Sequence, residues 1–572
     1  MKRILLFLLL LPLLVSCNQR RGLVTVRIIA TSDVHGRFFA TDFLDGSGRN
    51  GSLEQFSSFL KKERRENANV IYVDCGDILE GSVEAYHDVT CQFVKPSLAS
   101  LVYNYLDCDA AAFGNHDMGL GANTYERFFR PAAFPVLGGN VYFSNYGDYL
   151  LPYRIVERHG VKIALIGLTS ELVNWTVPVD IRGDLQARDI IESASYLVDM
   201  LEDKADAIVA VVHSGLEGGR VELAENRVAQ LAAKVPGIDL ILYGHDHKSR
   251  CSRMAVEQGD SVLVLNPGPY ARKAAVATLS FDFRASDNPK AAVTGSLHDI
   301  SGCPPDRNFR KALSERYAEV EHYADSVIGS AACNFESGCA LWRPASALEY
   351  LHSIHMGFFG AQVSLAAPVA SNAVIAADTF RIRDAFRFYP YDNTMVAVMM
   401  RGDEIRRVLE RSASLFYNTV GDGTEHMLRM KEGPDGSMVP EFSPTRFVTA
   451  CGIRYTIDVT KPDGQKVNIE CMSDGAPFSG DRLYRTTVSS FLYSGTESLL
   501  YDSTGISRKD IVSRLCSTSM SDLRYYLITA FALHHEEGRS VPVKKCSDWK
   551  LVPEETVAGF LAADTVNFKF VD

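Results

Sequence analysis

The chain has 572 residues, of which 46% are hydrophobic and 23% are charged, and its formal net charge at pH 7 is -11. This length exceeds what one hydrophobic core usually supports, so it predicts two domains. The acidic balance argues against a large surface for nucleic acid polymers, because recognition of a phosphate backbone relies on basic patches. A small anionic substrate remains compatible with this charge.

The first 17 residues are typical of a signal peptide. Two basic residues precede the apolar run Ile4–Val15, which is too short to span a membrane as a mature helix. The following residues complete Leu14-Val15-Ser16-Cys17, which resembles the bacterial lipobox, whose cysteine is lipidated after cleavage. We therefore expect an extracytoplasmic lipoprotein, anchored to the membrane through Cys17 on the periplasmic or cell-surface face. An ordinary secretory signal with an incidental cysteine is the alternative.

From residue 24 to about residue 285, apolar runs of strand length alternate with helical patterns, which is typical of a layered α/β domain. The predicted helices are Leu53–Arg65, Tyr125–Arg130, Asp189–Lys204 and Val221–Val235. Strands are predicted at Val161–Leu168 and Ser261–Leu265, and Ala274–Phe283 is predicted to be the last strand before a proline-rich and polar stretch that ends at Pro305.

Five apolar runs of this region end in aspartate, asparagine or histidine beside a glycine. They are Val24–Gly36, Val70–Asp77, Ala110–Asp117, Ala207–Gly215 and Ile241–His247. Continuous runs of valine, isoleucine and alanine suit strands that are buried on both faces. Because ligands bind beyond the carboxyl ends of such strands, we expect the polar side chains to face one crevice.

The polar residues at these strand ends are all types that bind metals. They are Asp33, His35, Asp77, Asn115, His213, His245 and His247. Carboxylate, amide oxygen and imidazole ligands without a thiolate suit zinc, manganese, iron or cobalt in hydrolytic sites. Seven ligands are too many for one ion, and they suit two ions that share a carboxylate. Any one of these motifs alone is more typical of a loop end without metal, but five in order favour a metal centre.

The strand-end motifs closely resemble those of the calcineurin-like metallophosphoesterases, in the same order. They are Asp33-x-His35, Gly76-Asp77, Gly114-Asn115-His116-Asp117, His213 and Gly244-His245-x-His247. The resemblance implies a four-layer α/β sandwich with a two-metal centre, in which a metal-bound water attacks a phosphoester. It implies one divalent ion on Asp33, His35 and His247, a second on Asn115, His213 and His245, and Asp77 bridging both.

His116 follows a predicted metal ligand directly, and the resemblance implies that it faces the phosphoryl group as a transition-state stabiliser or proton donor. A structural hydrogen bond at a strand end is the alternative. Many 5′-nucleotidases place an aspartate three residues later to orient this histidine, whereas this chain has Gly119. The neighbouring Asp117 is the acid nearest in sequence.

The second half of the chain has a different pattern, which predicts an α+β domain over residues 330–572. Between the two domains, the amphipathic segment Asp306–Val327 predicts one linker helix, assigned to residues 306–328. Helices are predicted at Ala345–Gly357 and Arg401–Ser414, and strands at Met395–Met400, Ile453–Val459 and Val467–Met472. The last two strands flank Asp463-Gly464, which predicts a hairpin.

Two segments of this half resemble the C-terminal domain of the 5′-nucleotidase superfamily. Phe388-Tyr-Pro-Tyr391-Asp-Asn393-Thr-Met395 resembles its aromatic-x-Asn-Thr-Leu motif, and Phe491 matches its second stacking aromatic. The resemblance implies that Tyr391 and Phe491 stack on a nucleobase, each contributing roughly 1–3 kcal/mol, and that Asn393 bonds its edge. It also places Glu497 where some relatives contact the ribose. Core packing is the alternative for each ring.

Further motifs favour one branch of this superfamily. His213-Ser-Gly-Leu, Ala224-Glu-Asn, Val235–Asp239, Ala366-Ala-Pro and Arg383-Asp resemble the bacterial 2′,3′-cyclic-nucleotide 2′-phosphodiesterase/3′-nucleotidase proteins. We therefore expect a hydrolase that salvages extracellular nucleotides. A 5′-nucleotidase or UDP-sugar hydrolase is an alternative, although Ser371–Ile375 lacks the Gly-Gly-Ile-Arg pattern of the 5′-nucleotidases. A non-catalytic nucleotide-binding lipoprotein is another, but it has no reason to keep seven metal ligands.

Overall fold

The computed structural model describes residues 22–91, 95–119, 121–142, 150–177, 179–219, 221–257, 261–368, 374–421, 423–433, 436–494 and 499–565. The predicted signal peptide with Cys17, the residues 371–373 and the predicted ribose contact Glu497 lie outside these ranges. Across the described ranges, we find no helix with the length and apolar character that crossing a membrane requires.

The first domain alternates strands and helices. Its strands are β1 (Leu23–Thr31), β2 (Val70–Asp74), β3 (Ala110–Ala112), β4 (Val136–Leu137), β5 (Val141–Tyr142), β6 (Tyr153–Arg158), β7 (Val161–Thr169), β8 (Gln186–Ala187), β9 (Ala207–His213), β10 (Leu240–Tyr243), β11 (Arg250–Ala255), β12 (Ser261–Asn266), β13 (Lys273–Asp282) and β14 (Ala292–Asp299). Its helices are α1 (Leu53–Glu66), α2 (Val83–Cys91), α3 (Leu98–Tyr105), α4 (Asn115–Gly119), α5 (Ala122–Phe129), α6 (Val173–Thr176), α7 (Val179–Arg182), α8 (Ile190–Leu201) and α9 (Val228–Lys234).

Two six-stranded sheets form the centre of this domain. One has the strand order β14-β13-β1-β2-β3-β4 and the other β11-β12-β10-β9-β7-β6. Their inner faces share one buried cluster, which includes Ile28 and Val73 of the first sheet and Leu165 and Val211 of the second. Helices α1 and α3 cover the outer face of the first sheet, and α8 and α9 cover that of the second. The result is the predicted four-layer α/β sandwich.

Two predictions for this domain were wrong in detail. The segment Val221–Val235 is not one helix. It begins with a 3-10 turn at Val221–Leu223, and α9 starts only at Val228. Ala224, directly after the turn, has a φ of +53°, which a helix does not allow. The stretch after Phe283 contains the edge strand β14, which pairs antiparallel with β13. Its alternation of exposed and half-buried residues is typical of a strand with one solvated face.

The predicted single helix at Asp306–Val327 is two helices, α10 (Arg307–Ala312) and α11 (Ser314–Asp325). The helix is interrupted at Leu313, whose amide bonds within the last turn of α10 and whose φ and ψ are -109° and 18°. The side chain of Phe309, which precedes the interruption, is buried against Phe39 and Tyr105 of the first domain. The end of the segment, Val327, belongs to a strand.

The second domain mixes helices and strands, as predicted. Its remaining elements are β15 (Val327–Gly329), β16 (Phe335–Glu336), α12 (Ser346–Phe359), β17 (Val363–Ala366), β18 (Val374–Ile375), β19 (Phe380–Arg381), α13 (Ile382–Phe388), β20 (Thr394–Arg401), α14 (Gly402–Phe416), β21 (Met430–Glu432), β22 (Met438–Pro440), β23 (Thr449–Cys451), β24 (Ile453–Asp458), β25 (Val467–Met472), β26 (Leu483–Ser489), α15 (Ser490–Ser494), α16 (Leu499–Thr504), α17 (Arg508–Ser513), β27 (Leu515–Asp522), α18 (Leu523–Glu536), β28 (Asp548–Val552) and α19 (Glu554–Thr565). A five-stranded sheet has the order β23-β17-β26-β20-β27, and the predicted hairpin is the antiparallel pair β24 and β25.

The two domains pack closely beside the carboxyl end of β2. The ring of Tyr86 on α2 meets that of Phe386 on α13 edge to face, with 5.1 Å between centroids. The buried guanidinium of Arg524 lies over both rings. The amide of Gly81 in the first domain donates to the Asp392 carboxylate of the second at 3.1 Å. These contacts bring the loop that carries Tyr391 and Asn393 against the first domain.

Candidate active site

The structure brings the seven predicted metal ligands together where the two sheets of the first domain end side by side. Asp33, His35, Asp77 and Asn115 follow strands β1, β2 and β3 of one sheet, whereas His213, His245 and His247 end or follow β9 and β10 of the other. The parallel strands β1, β2 and β3 of one sheet and β9 and β10 of the other end on the same side of the domain. The expected crevice therefore lies beyond the carboxyl ends of these strands.

The ligands fall into two groups. Candidate ligand atoms of Asp33, His35 and His247 lie within 4.8 Å of one another, and so do those of Asp77, His213 and His245. Asn115 joins the second group, because its Oδ1 lies 3.0 Å from His213 Nε2. The charge of Asp77 also shifts the pKa values of Asp33 and His35 of the first group, so Asp77 interacts with both groups.

The hydrogen bonds around these groups leave acceptor atoms facing each other. His35 Nδ1 and His213 Nδ1 lie 3.1 and 2.8 Å from backbone carbonyls, which can only accept, so each neutral ring carries its hydrogen on Nδ1. The lone pair on His213 Nε2 then faces Asp77 Oδ2 at 3.1 Å and Asn115 Oδ1 at 3.0 Å. The nitrogen and the two oxygens repel each other unless a proton on Nε2 or a metal cation lies among them. The residues therefore fit a divalent metal at each group.

The protonation equilibria of Asp33 and His213 also indicate that the site attracts positive charge, whereas that of His35 is set by burial. Burial lowers the pKa of His35 to about 4, so the ring is neutral at pH 7. Burial opposes ionisation of Asp33, but its hydrogen bond with His247 and the charge of His213 outweigh that effect and lower its pKa to about 2. Burial also disfavours a charged His213, yet the attraction of Asp77 raises its pKa to about 9. A metal ion supplies the same positive charge without a proton.

The backbone is strained at most of the predicted ligands. Five of the seven have a positive φ, between 49° and 81°: Asp33, His35, Asp77, His245 and His247. Such a conformation costs on the order of 1–3 kcal/mol per residue outside glycine and persists only where the surroundings enforce it. Here the two tight turns bond to each other, since the amides of Asp33 and His35 donate to the carbonyls of Gly76 and Asp77. These turns bring Asp33 and His35 to one ligand group and Asp77 to the other.

Two motif glycines are required by close approach. A Cβ at Gly114 would lie 2.1 Å from Asp77 Oδ1, and one at Gly244 would lie 1.8 Å from Ser32 Oγ. Neither position has room for any side chain. The glycines thus allow the strand ends of β3 and β10 to approach the carboxylates of the neighbouring turns.

Asp117 does not orient His116. Its carboxylate accepts hydrogen bonds from the backbone amides of four residues, Asp77, Ile78, Leu79 and Gly114, at 2.8–3.0 Å. The carboxylate is buried, and these bonds occupy it fully. Asp117 therefore shapes the turn that presents Asp77.

Glu80 is the acidic partner of His116. Its Oε1 lies 2.9 Å from His116 Nδ1, and the His116 ring stands 5.5 Å from that of His35. Burial alone would lower the pKa of His116, but the charges of Glu80 and Asp77 outweigh it and raise this pKa well above its usual range. A protonated ring held at Nδ1 leaves its Nε2 hydrogen for a substrate. The sequence prediction missed Glu80, although it follows Asp77 by three residues in the same turn.

The three predicted base-binding residues also come together. Tyr391, Asn393 and Phe491 line one cavity of about 220 Å³ in the second domain. The Tyr391 ring is half exposed, and Asn393 Nδ2 donates to the Tyr389 hydroxyl at 3.2 Å. The Tyr391 ring is therefore accessible from solvent, and the Asn393 side chain is held by a neighbouring tyrosine.

Both halves of the chain match known families. Residues 26–249 match the calcineurin-like phosphoesterases, and residues 331–502 match the 5′-nucleotidase C-terminal domain. The chain is a metallophosphoesterase of the 5′-nucleotidase family. It is therefore a phosphoric ester hydrolase, which removes the alternative of a non-catalytic binding protein. Proteins of this family typically bind two divalent metals, in agreement with the two ligand groups.

Two relatives of this metallophosphoesterase are named for activity on nucleotides. It is 23% identical to the 2′,3′-cyclic-nucleotide 2′-phosphodiesterase/3′-nucleotidase of Haemophilus influenzae, over 77% of this chain and 74% of that protein. It is 24% identical to the trifunctional nucleotide phosphoesterase protein YfkN of Bacillus subtilis over 82% of this chain, but the match spans 36% of YfkN. A provisionally assigned 5′-nucleotidase from Staphylococcus aureus superposes with a TM-score of 0.72 at 21% identity, covering 92% of this chain and 100% of that one, and shows the same fold.

Replacement of Asp77 by asparagine should weaken the binding of both metals by this metallophosphoesterase, because it removes a carboxylate charge that interacts with both ligand groups. We expect kcat to fall by more than the roughly 10- to 100-fold loss that is typical when a residue hydrogen-bonded to a metal ligand is mutated. Metal analysis after reconstitution should find about two equivalents in the wild type and fewer than one in Asp77→Asn. Asp199→Asn, on the exposed face of α8, is the matched control. A variant that keeps two tightly bound ions contradicts the assignment.

Proposed function

We propose that this hydrolase opens 2′,3′-cyclic nucleotides and removes the resulting 3′-phosphate, at a two-metal centre assisted by a base-binding cavity in the second domain. The observation that carries the proposal is the hydrogen bond between Gly81 and Asp392, which joins the turn behind His116 to the loop of Tyr391 and Asn393. Phosphate chemistry and base recognition thus meet at one domain contact. The name of the Haemophilus influenzae relative supports this substrate class.

The proposed metal ligands divide as the geometry suggests. Asp33, His35 and His247 would hold one ion, Asn115, His213 and His245 would hold the other, and Asp77 would bridge them. The chemistry that two divalent ions supply in such a site is activation of water as the nucleophile and neutralisation of charge on the phosphoryl oxygens. Zinc, manganese, iron and cobalt all suit these donors.

The protein's own groups complete the proposed reaction. His116, fixed by Glu80, donates from Nε2 to a phosphoryl oxygen or to the departing ribose oxygen, as general acid–base catalysis requires. Tyr391 and Phe491 hold the nucleobase between their faces, and Asn393 bonds its edge. Water is the nucleophile, so the reaction needs no serine or cysteine. The short apolar segment at residues 4–15 and Cys17 support an extracytoplasmic, membrane-anchored place for this salvage reaction.

A 5′-nucleotidase or UDP-sugar hydrolase is the second candidate, favoured by the match of residues 331–502. Two arginines that could have contacted a 5′-phosphate are engaged elsewhere. Arg381 donates to the backbone carbonyl of Asp325, and Arg383 forms an ion pair with the carboxylate of the same residue on α11. The structure thus gives these arginines a role at the helix between the domains.

Turnover of three substrates by one preparation separates the two candidates. With added manganese, we expect 2′,3′-cyclic AMP and 3′-AMP to be hydrolysed at comparable rates and 5′-AMP much more slowly. Phosphate release and chromatography of the nucleoside products measure all three reactions. Fast hydrolysis of 5′-AMP without any cyclic activity would reject the first candidate and support the second.

Glu80→Gln should lower kcat by roughly 10- to 100-fold, because a neutral amide no longer holds a protonated His116 in place. Neither KM nor the content of two metals should change, since Glu80 contacts the predicted ligands only through its backbone carbonyl. Steady-state kinetics and metal analysis give both readouts.

Two further variants control this experiment. Glu80→Asp should recover part of the lost rate, and the exposed Glu66→Gln on α1 should behave like the wild type. An unchanged kcat in Glu80→Gln would show that Glu80 has only a structural role.

A further inference from the structure

A buried histidine at the wall of the base-binding cavity has a polar atom that the proposed function does not yet use. His355, on the inner face of α12, lines the cavity and is only 1% exposed. Its Nδ1 lies 3.0 Å from Ser364 Oγ. Among the residues that the structure describes, its Nε2 is buried and has no hydrogen-bond partner. Buried nitrogens of this kind nearly always have a partner, so one from outside the protein is expected here.

A chain of hydrogen bonds decides whether this nitrogen donates or accepts. The Thr449 hydroxyl donates to the Ala366 carbonyl at 3.3 Å, so it must accept from His352 Nε2, which lies 3.0 Å away. His352 then carries its hydrogen on Nε2, and its Nδ1 accepts from the Ser364 hydroxyl at 2.8 Å.

The same chain continues to His355. Because the only hydrogen of the Ser364 hydroxyl points to His352, its oxygen must accept from His355 Nδ1. Burial lowers the pKa of both histidines to about 3, so both rings are neutral at pH 7. A neutral His355 with its hydrogen on Nδ1 presents a bare lone pair at Nε2. The cavity therefore offers an acceptor at this wall.

We infer that His355 Nε2 reads the edge of the nucleobase and selects bases with an exocyclic amino group, adenine or cytosine, over bases with a carbonyl there, hypoxanthine or uracil. This inference rests on the proposed function of the cavity, in which Tyr391 and Phe491 hold the faces of the base. An amino group donates to the lone pair and satisfies it. A carbonyl oxygen at the same place leaves two acceptors facing each other, and a site with an unpaired polar atom rejects such a ligand.

The hydrogen-bond chain makes this preference difficult to reverse. For Nε2 to become a donor, each hydrogen in the chain must move and the Thr449 hydroxyl must leave the Ala366 carbonyl. Stacking alone discriminates little between bases, because every base has a similar face. Base preference should therefore depend on His355 and on the residues that hold its tautomer, Ser364, His352 and Thr449.

Binding of nucleosides, which need no catalysis, tests the inference directly. Titration calorimetry on the metal-loaded enzyme should show that adenosine binds at least about tenfold more tightly than inosine. In His355→Leu, the two should bind within about twofold of each other, through loss of affinity for adenosine. Hydrolysis of bis(p-nitrophenyl) phosphate, which has no base, reports the state of the metal centre in this variant separately from nucleoside binding.

Two further variants keep the test decisive. Thr449→Val removes the hydroxyl that starts the chain and leaves His355 in place, so it should reduce the preference for adenosine even if His355→Leu folds poorly. Tyr391→Ala should weaken adenosine and inosine equally, by roughly 5- to 150-fold, because it removes stacking only. Thermal melting shows which variants are folded.

The outcomes distinguish the inference from the function on which it rests. Equal binding of adenosine and inosine by the wild type, with both weakened in Tyr391→Ala, overturns the role of His355 and keeps the base cavity. Nucleosides that do not bind, or that bind without any effect of Tyr391→Ala, overturn the base cavity and the inference with it. A preference for adenosine that survives in both His355→Leu and Thr449→Val overturns the inference alone.

Discussion

The crowding of acceptor atoms around Asp77 is the constraint on which the rest of the first domain depends. Carboxylate, amide and imidazole acceptors from two sheets meet within about 3 Å of one another, which is unfavourable unless a proton or a metal cation lies among them. The fold accepts further strain to maintain this arrangement, since most of the ligands lie in left-handed turns. Four backbone bonds to Asp117 hold the turn of Asp77 in place. Binding of metals at these residues would therefore stabilise the folded domain.

The second domain is tied to this centre through the same turn. Asp77, Glu80 and Gly81 follow β2 in sequence. They provide, in that order, a predicted metal ligand, the partner of His116 and the amide that donates to Asp392. Asp392 also pairs with the buried Arg524, and it lies between Tyr391 and Asn393, the two residues of its loop that are proposed to bind the base. A displacement of the second domain would thus be felt at the acid that positions His116. The contact gives a physical link between base binding and phosphate chemistry.

Sequence reasoning predicted those residues of the candidate site whose signal is local, and the structure brings them together. Each predicted ligand ends an apolar run beside a glycine, so strand, turn and ligand type all occur within a few positions. Glu80 and His355 lack such a signal. Their proposed roles depend on contacts with His116 and Ser364, which lie on other elements and approach them only in the folded chain. Leu313 and Ala224 interrupt predicted helices for similar reasons, since amphipathic spacing does not report backbone angles. The edge strand β14 has an alternation too weakly hydrophobic to predict.

The measurement that tests the central claim most directly is anomalous X-ray diffraction from crystals reconstituted with manganese or zinc. The account predicts two anomalous peaks, one among Asp33, His35 and His247 and the other among Asn115, His213 and His245, with an oxygen of Asp77 within ligand distance of both. A single peak, or two peaks of which neither is bound by Asp77, would contradict it.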